Sequence, residues 1–386
     1  MLRRSLLRAG PALLLGASPN SAEPIDPPAL PGSGMANFTQ SDTGKVYLSW
    51  IDPLPDNRHA LRVSRWRRDH WSAPETVAEG AHWFVNWADF PALSSLPDGQ
   101  MLAHWLARPA TGGKWGYGIH IAHRNRSGEW KPTAAFNAEN MEDYAGFLSF
   151  AGANAVFLAP PDQPAGHQKT LRFARFDARG QVIDEAVLDT DVCSCCQTAI
   201  AMTPHGLLAA YRDHRPGEIR DISFVRQQKG VWTAPQTLHA DGWKINGCPT
   251  EGPTIAVAGN SVALAWLTRA GGVAKLQCAF SLDGGATFSR VIRVDDGNPL
   301  GRPCLLRIPT GFALAWIERD GNQATLSLRV LHRDGKAASS LVVASVAPAR
   351  GTGLPRLALA SSHLFLAWRD ERVRVARVPL SALPSQ

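Results

Sequence analysis

Three of the chain's six cysteines, Cys193, Cys195 and Cys196, fall within four consecutive residues, and Cys248 lies in the next loop of the same kind. Sulfur at this density serves one of three ends. The thiols can pair, and in an oxidising compartment a bond from Cys195 or Cys196 to Cys248 staples two neighbouring loops. They can instead converge as thiolates on a soft ion, copper or zinc, with a coordination position left open for a ligand. They can also stay inert, as small buried residues. Spacing alone leaves all three open. Cys304 lies one repeat further on, and Cys278 sits in an apolar run where it reads as core. His82, His214 and His239 are further candidate ligands, although a lone loop histidine more often makes a hydrogen bond.

Polar residues crowd the same loops. Asp189 and Asp191 precede the cysteines, Glu251 follows Cys248, and Arg212, Asp213, Glu218 and Arg220 occupy the loop between. Around a bound ion these groups would orient ligands and tune the charge. Without an ion, Tyr211, Arg212, Asp213, Glu218 and Arg220 set a phenol, two carboxylates and two guanidiniums in one stretch, and guanidiniums grip a carboxylate ligand. Arg302 and Arg356 are further grips of that kind. Trp83 and Trp87, with Asp89 beside them, offer flat faces for a sugar. A third use is a docking surface for a protein partner, with the cysteines merely fastening it.

Something must bring these distant loops together, and the chain carries a repeat that does so. A short apolar strand ending in a large or rigid residue recurs every 50 to 55 residues: Val46–Trp50, Met101–Trp105, Val156–Pro160, Leu207–Tyr211, Val262–Trp266, Phe312–Trp316 and Leu364–Trp368. Each has a partner strand upstream across a turn and an alternating strand downstream, as in Leu61–Trp66 or Lys275–Phe280. A turn and a fourth strand follow, opened by Trp71, Trp130, Trp232 or Phe288. An all-β propeller of four-stranded blades is predicted, seven blades rather than six. The seventh repeat ends after its third strand, so the segment Ile25–Leu30 is expected to supply the fourth and close the ring. In such blades the long inter-blade loops share one face with the second-to-third strand loops, which is where the cysteines and acidic residues collect.

Ser281, Asp283, Gly285 and Phe288 fit the Asp-box pattern Ser-x-Asp-x-Gly-x-x-aromatic, and the chain after about residue 35 resembles the sialidase-like propellers with Asp-box (BNR) repeats. Degenerate versions stand at Ser127–Trp130 and Lys229–Trp232. The resemblance implies a hairpin turn capped by Asp283, with Phe288 packed between sheets, and says little about activity. An exo-sialidase-type hydrolase is the activity the resemblance would carry, with Tyr211 as the nucleophile, Asp213 and Glu218 as its acidic partners, and Arg212 and Arg220 gripping the sugar's carboxylate. Against that, one full Asp box survives, no tyrosine stands in the last repeats, and Arg307-Ile308-Pro309 falls at the far end of a strand from where the family's motif opens one. The chain reads as a binding protein for a small molecule, a glycan or a soft metal ion, rather than a working sialidase.

Composition bounds the rest. Basic residues outnumber acidic ones by 40 to 33, a formal charge of +7, but the excess is spread thinly apart from Arg65, Arg67 and Arg68. That argues against a nucleic-acid partner. Arg3 and Arg4, the run Leu13–Leu15 and the small residues Ser21 and Ala22 outline an export signal over 1–22, followed by one propeller domain over 23–386. No apolar segment is long enough to span a bilayer. A periplasmic or secreted protein is expected.

Overall fold

Short apolar alternations, cut at intervals by Gly, Pro, Asn or Asp, give β-strands and no α-helix among the residues that the computed structural model describes, 22–109, 116–133, 136, 143–162 and 168–384. They form seven antiparallel sheets of four strands, two of them with a short extra strand. The innermost strands are Gly34–Gln40, Ala92–Ser95, Gly146–Ala151, Ala199–Thr203, Thr254–Ala258, Pro299–Ile308 and Arg356–Ala360. Each abuts its neighbours around a central channel, so the molecule is a seven-bladed propeller, as the period predicts. No described helix is long and apolar enough to cross a membrane.

The repeated strand is the second of each blade, flanked on both sides and therefore buried. Trp50, Trp266 and Trp316, at its end, are fully buried. A buried indole must still place its N–H. Trp50 Nε1 donates to Asp52 at 2.8 Å, Trp316 Nε1 to Glu318 at 2.7 Å and Trp266 Nε1 to Asp241 at 2.7 Å. Tyr211 fills the same slot in blade 4, and its hydroxyl donates to Asp189. The repeat thus holds a carboxylate on the loop face at four positions.

Ring closure differs in detail from expectation. Glu23–Pro24, not Ile25–Leu30, pairs with the last strand, Val373–Pro379. Ile25 adds one more bond, from its N–H to the Val375 carbonyl. Pro27 and Pro28 have no N–H to continue a ladder, so the chain leaves the sheet there. The Asp box forms as the resemblance implies. Ser281 Oγ and the Thr287 N–H and hydroxyl all donate to Asp283, holding its carboxyl far below its ordinary value against the opposing effect of burial. Phe288 packs edge-on against Phe224 of blade 4, 5.2 Å between centroids. Arg307 is the penultimate residue of its innermost strand, exposed and away from the loop face. Residues 1–21 of the expected export signal and loop residues Glu139 and Glu142 lie outside the described residues.

Candidate functional site

The inter-blade loops meet over one mouth of the channel, and Gln197 ties three of them together. Its Nε2 donates to the Ala88 carbonyl at 2.7 Å, and its Oε1 accepts from the Gly252 N–H at 2.8 Å. Thr198 next to it donates to the Phe147 carbonyl at 2.8 Å. The cysteine loop is therefore pinned to the loops before blades 2, 3 and 5. Its other flank is fixed by Arg212, which is buried and donates to the carbonyls of Glu251, Arg220 and Leu267 at 2.6–2.7 Å while lying over the Trp243 ring.

Cys195 and Cys248 form a disulfide, Cα–Cα 5.9 Å, that joins the two loops flanking blade 4. Cys193 and Cys196 are free and buried, their sulfurs 2.8 Å apart, and Cys193 Sγ lies 3.9 Å from Cys195 Sγ. Sulfurs of Cys193, Cys195 and Cys196 all lie within 4.8 Å of one another, a grouping that offers a metal ion two free thiols, and a third sulfur only once the Cys195–Cys248 bond is open. Among the described residues no histidine joins it: His214 bonds Asp191 at 2.8 Å and His239 bonds Asp241 at 2.8 Å. Burial works against ionising Cys193. The hydrogen bond from Cys196, a backbone bond at Cys195 and the charges of Arg212 and Arg220 outweigh it and bring the thiol below its ordinary value. Cys196 moves the other way, raised by burial and by the negative partner it serves. Cys278 is buried core, and Cys304 lies apart beside Arg356.

Two cavities open beside the disulfide. The larger, about 700 Å³, is lined by Phe84, Trp87, Asp89, Tyr117, Tyr144, Phe147 and Lys169, with Cys195 and Cys248 in its wall. Its aromatic side is a stack: Phe84 on Tyr117 at 3.8 Å, Tyr117 on Tyr144 at 4.9 Å, and Lys169 Nζ 3.8 Å from the Tyr144 centroid. Lys169 is buried and pairs with Asp143 at 2.5 Å. Asp89 accepts from the Tyr117 hydroxyl and the Phe147 N–H, both at 2.8 Å, and its burial drives the carboxyl up to about 7. Gly146 is demanded here, because any Cβ would collide with the Asp89 carboxylate and the Tyr117 ring. The smaller cavity, about 290 Å³, is bounded by Trp87, Cys248, Glu251, Arg269, Arg302 and Arg350. Burial lifts Glu251 to about 7, although the Arg302 N–H and three arginine charges oppose it. Arg302 lies over Trp87, donates to the carbonyls of Ala349 and Gly353, and keeps a buried Nε with no partner.

The expected site residues divide accordingly. Cys195, Cys248, Trp87, Asp89, Glu251 and Arg302 line these cavities, with Cys193 and Cys196 buried beside Cys195. Asp189 and Asp191 lie beside them, holding Tyr211 and His214. Asp213 accepts from Ser223 and the His214 N–H, and burial raises its carboxyl. Glu218 and Arg220 pair with each other, the Glu218 carboxylate half-exposed and the Arg220 side chain largely covered. Trp83 is buried in the seam of blades 1 and 2, stacked on Trp105. Arg356 lies inside the channel over Phe90. Lys169 and Tyr117 were not legible as site residues. The only sequence signal was a lysine opening an apolar third strand.

The class so defined is a seven-bladed propeller with its loops collected over one channel mouth. No known family model matches the chain, and no curated protein matches it. Solved structures do share its fold. A protein of unknown function from Dyadobacter fermentans DSM 18053 has a TM-score of 0.57 at 12% identity, over 92% of this chain and 98% of that one. The endosialidase of phage phi92 has a TM-score of 0.51 at 8% identity, over 95% and 70%. A puromycin-hydrolyzing peptidase of Mycobacterium tuberculosis has 0.52 at 13%, over 93% and 55%. At such identities the likeness is one of fold alone.

Proposed function

We propose that this is an exported, sialidase-like propeller of the Asp-box kind whose loop face binds a soft metal ion. Cys193 and Cys196 are its ligands, with Cys195 joining when its disulfide opens. The observation that carries this function is the convergence of three buried sulfurs within 4.8 Å. Thiolates select copper(I) or zinc among common ions. Zinc wants four ligands in a tetrahedron, whereas copper(I) accepts two or three sulfurs, which favours copper(I). The charges of Arg212 and Arg220 stabilise the thiolate that must form. Elemental analysis and thiol counting on protein from its native compartment test the idea. About one copper per chain, lost in Cys193→Ser, is expected. A metal-free protein that also fails to compete for copper(I) with a chelator overturns it.

A second function rests on the smaller cavity, whose lining includes Glu251, Arg269, Arg302 and Arg350. Three arginines in one cavity wall suit a small carboxylate-bearing ligand, and an acidic sugar is the candidate. Calorimetric titration with an acidic sugar, lost in Arg302→Met and kept in Cys193→Ser, would establish it separately from metal binding. Equal binding by the Arg302→Met protein would dismiss it.

A further inference from the structure

The four loop sulfurs are graded from inside to outside. Cys193 and Cys196 are 1% and 2% exposed, Cys195 is 8%, and Cys248 is openly exposed. Cys195 Sγ stands between the two pairs, bonded to Cys248 on one side and 3.9 Å from Cys193 Sγ on the other. Cys196 Sγ waits 2.8 Å behind Cys193. Each sulfur thus touches the next, and thiol–disulfide exchange needs only such contact and a thiolate to attack.

We infer that these cysteines form an internal disulfide relay, which stores two reducing equivalents as the buried Cys193/Cys196 dithiol and delivers them to a low-molecular-weight disulfide at the exposed Cys195/Cys248 pair. In the first step the Cys193 thiolate attacks Cys195 Sγ, the Cys195–Cys248 bond breaks as Cys193–Cys195 forms, and the proton that Cys193 gave up balances the one that Cys248 takes. Cys248 leaves as a thiolate and takes up a proton. In the second step Cys196, deprotonated in turn, attacks Cys193 Sγ and displaces Cys195. One disulfide has been exchanged for another, with no electrons gained or lost. Cys195 and Cys248 now form a dithiol in the wall of the 700 Å³ cavity. A substrate disulfide RSSR entering there is reduced to two RSH as Cys195–Cys248 re-forms, so the substrate is the oxidant and the protein ends with two disulfides. The relay uses the metal-free protein and does not depend on the ion-binding function.

The test uses the full chain, stripped of metal with a chelator and poised anaerobically at one cluster disulfide with limiting dithiothreitol. Free thiols are trapped in acid with one maleimide, the remainder are reduced and labelled with a second, and peptides are weighed. Wild type is expected to contain both isomers, Cys195–Cys248 and Cys193–Cys196. Cys196→Ser is expected to stop at Cys193–Cys195 with Cys248 free, and Cys193→Ser to hold Cys195–Cys248 alone. Oxidised glutathione added to wild type should be reduced by one equivalent, at a rate at least about tenfold above that of Cys193→Ser. Wild type that shows only Cys195–Cys248, and reduces no glutathione disulfide while folded, overturns the relay even if a variant fails to fold. Metal content is measured on the same preparation before stripping, so the two ideas fail independently.

Discussion

Arg212 Nε donates to the backbone carbonyl of Glu251 at 2.7 Å, and by that bond a charged side chain of blade 4 supports the loop that carries Cys248 into blade 5. Its two other donations, to Arg220 and Leu267, leave the guanidinium with backbone partners on three segments. Arg212 therefore acts by position, and its charge reaches Cys193 through space. Replacing it by Met removes the donor from three carbonyls, two of them in buried bonds and one part-buried, and buried carbonyls are costly to leave unpaired. Arg212→Met is expected to lose about 3 kcal/mol or more, read from the denaturant midpoint. A loss below about 1 kcal/mol would mean that water takes over those carbonyls at little cost.

The buried carboxyl of Asp89 sets a pH dependence. Its folded value, about 7, stands above the ordinary 3.8 because burial disfavours the charged form. A raised acid contributes stability that is fully present below about 4 and lost as pH rises through about 7. Asp89→Asn keeps an acceptor for the Phe147 N–H and a partner for Tyr117. Between pH 4 and 7 the variant's stability curve should therefore run less steeply downward than wild type's, by about one proton. Parallel curves would show that Asp89 is ionised in the fold.

Much of this architecture was written in the sequence because it is periodic. Trp50, Trp105, Trp266 and Trp316 end strands that must be buried on both faces, and the apolar run before each one marks the blade. The Asp box was legible for a local reason, since Asp283 bonds residues two and four positions away. Closure falls two residues earlier than expected, at Glu23–Pro24, because Pro27 and Pro28 have no N–H with which to continue the ladder. The commitment of Arg212 to carbonyls was illegible, because backbone acceptors leave no residue signature. Lys169 was missed since its partners, Asp143 and Tyr144, come from a loop some 25 residues upstream. The Cys195–Cys248 pairing was one of the alternatives left open, and three-dimensional direction rather than spacing decided it.

The disulfide should also contribute to stability in the usual way. It closes a loop of 53 residues, and the entropy denied to the unfolded chain is worth about 4 kcal/mol at most. The Cys195→Ser, Cys248→Ser double variant is expected to unfold about 2–4 kcal/mol more easily than wild type. Because blade 4 would lose its fastening to the next loop, faster proteolysis should appear first near residues 241–252. Equal stability would mean that Arg212 and Gln197 hold the loops without it.

Cys193 offers the most direct probe of the cluster. In metal-free protein its ultraviolet thiolate absorbance should rise with a midpoint below the ordinary thiol value. Burial alone would push the midpoint above the ordinary thiol value, so the depression depends on the groups that oppose burial. The Cys196 hydrogen bond is the largest of these, ahead of the backbone bond at Cys195 and the charges of Arg212 and Arg220. Cys196→Ala removes that donor and leaves the burial. The midpoint should then climb by at least about one unit, while a serine in the same place, whose hydroxyl still donates, should hold it near the wild-type position. A midpoint indifferent to both substitutions would transfer the thiolate's stabilisation to the two arginines, and Arg220→Gln would then be the variant that moves it.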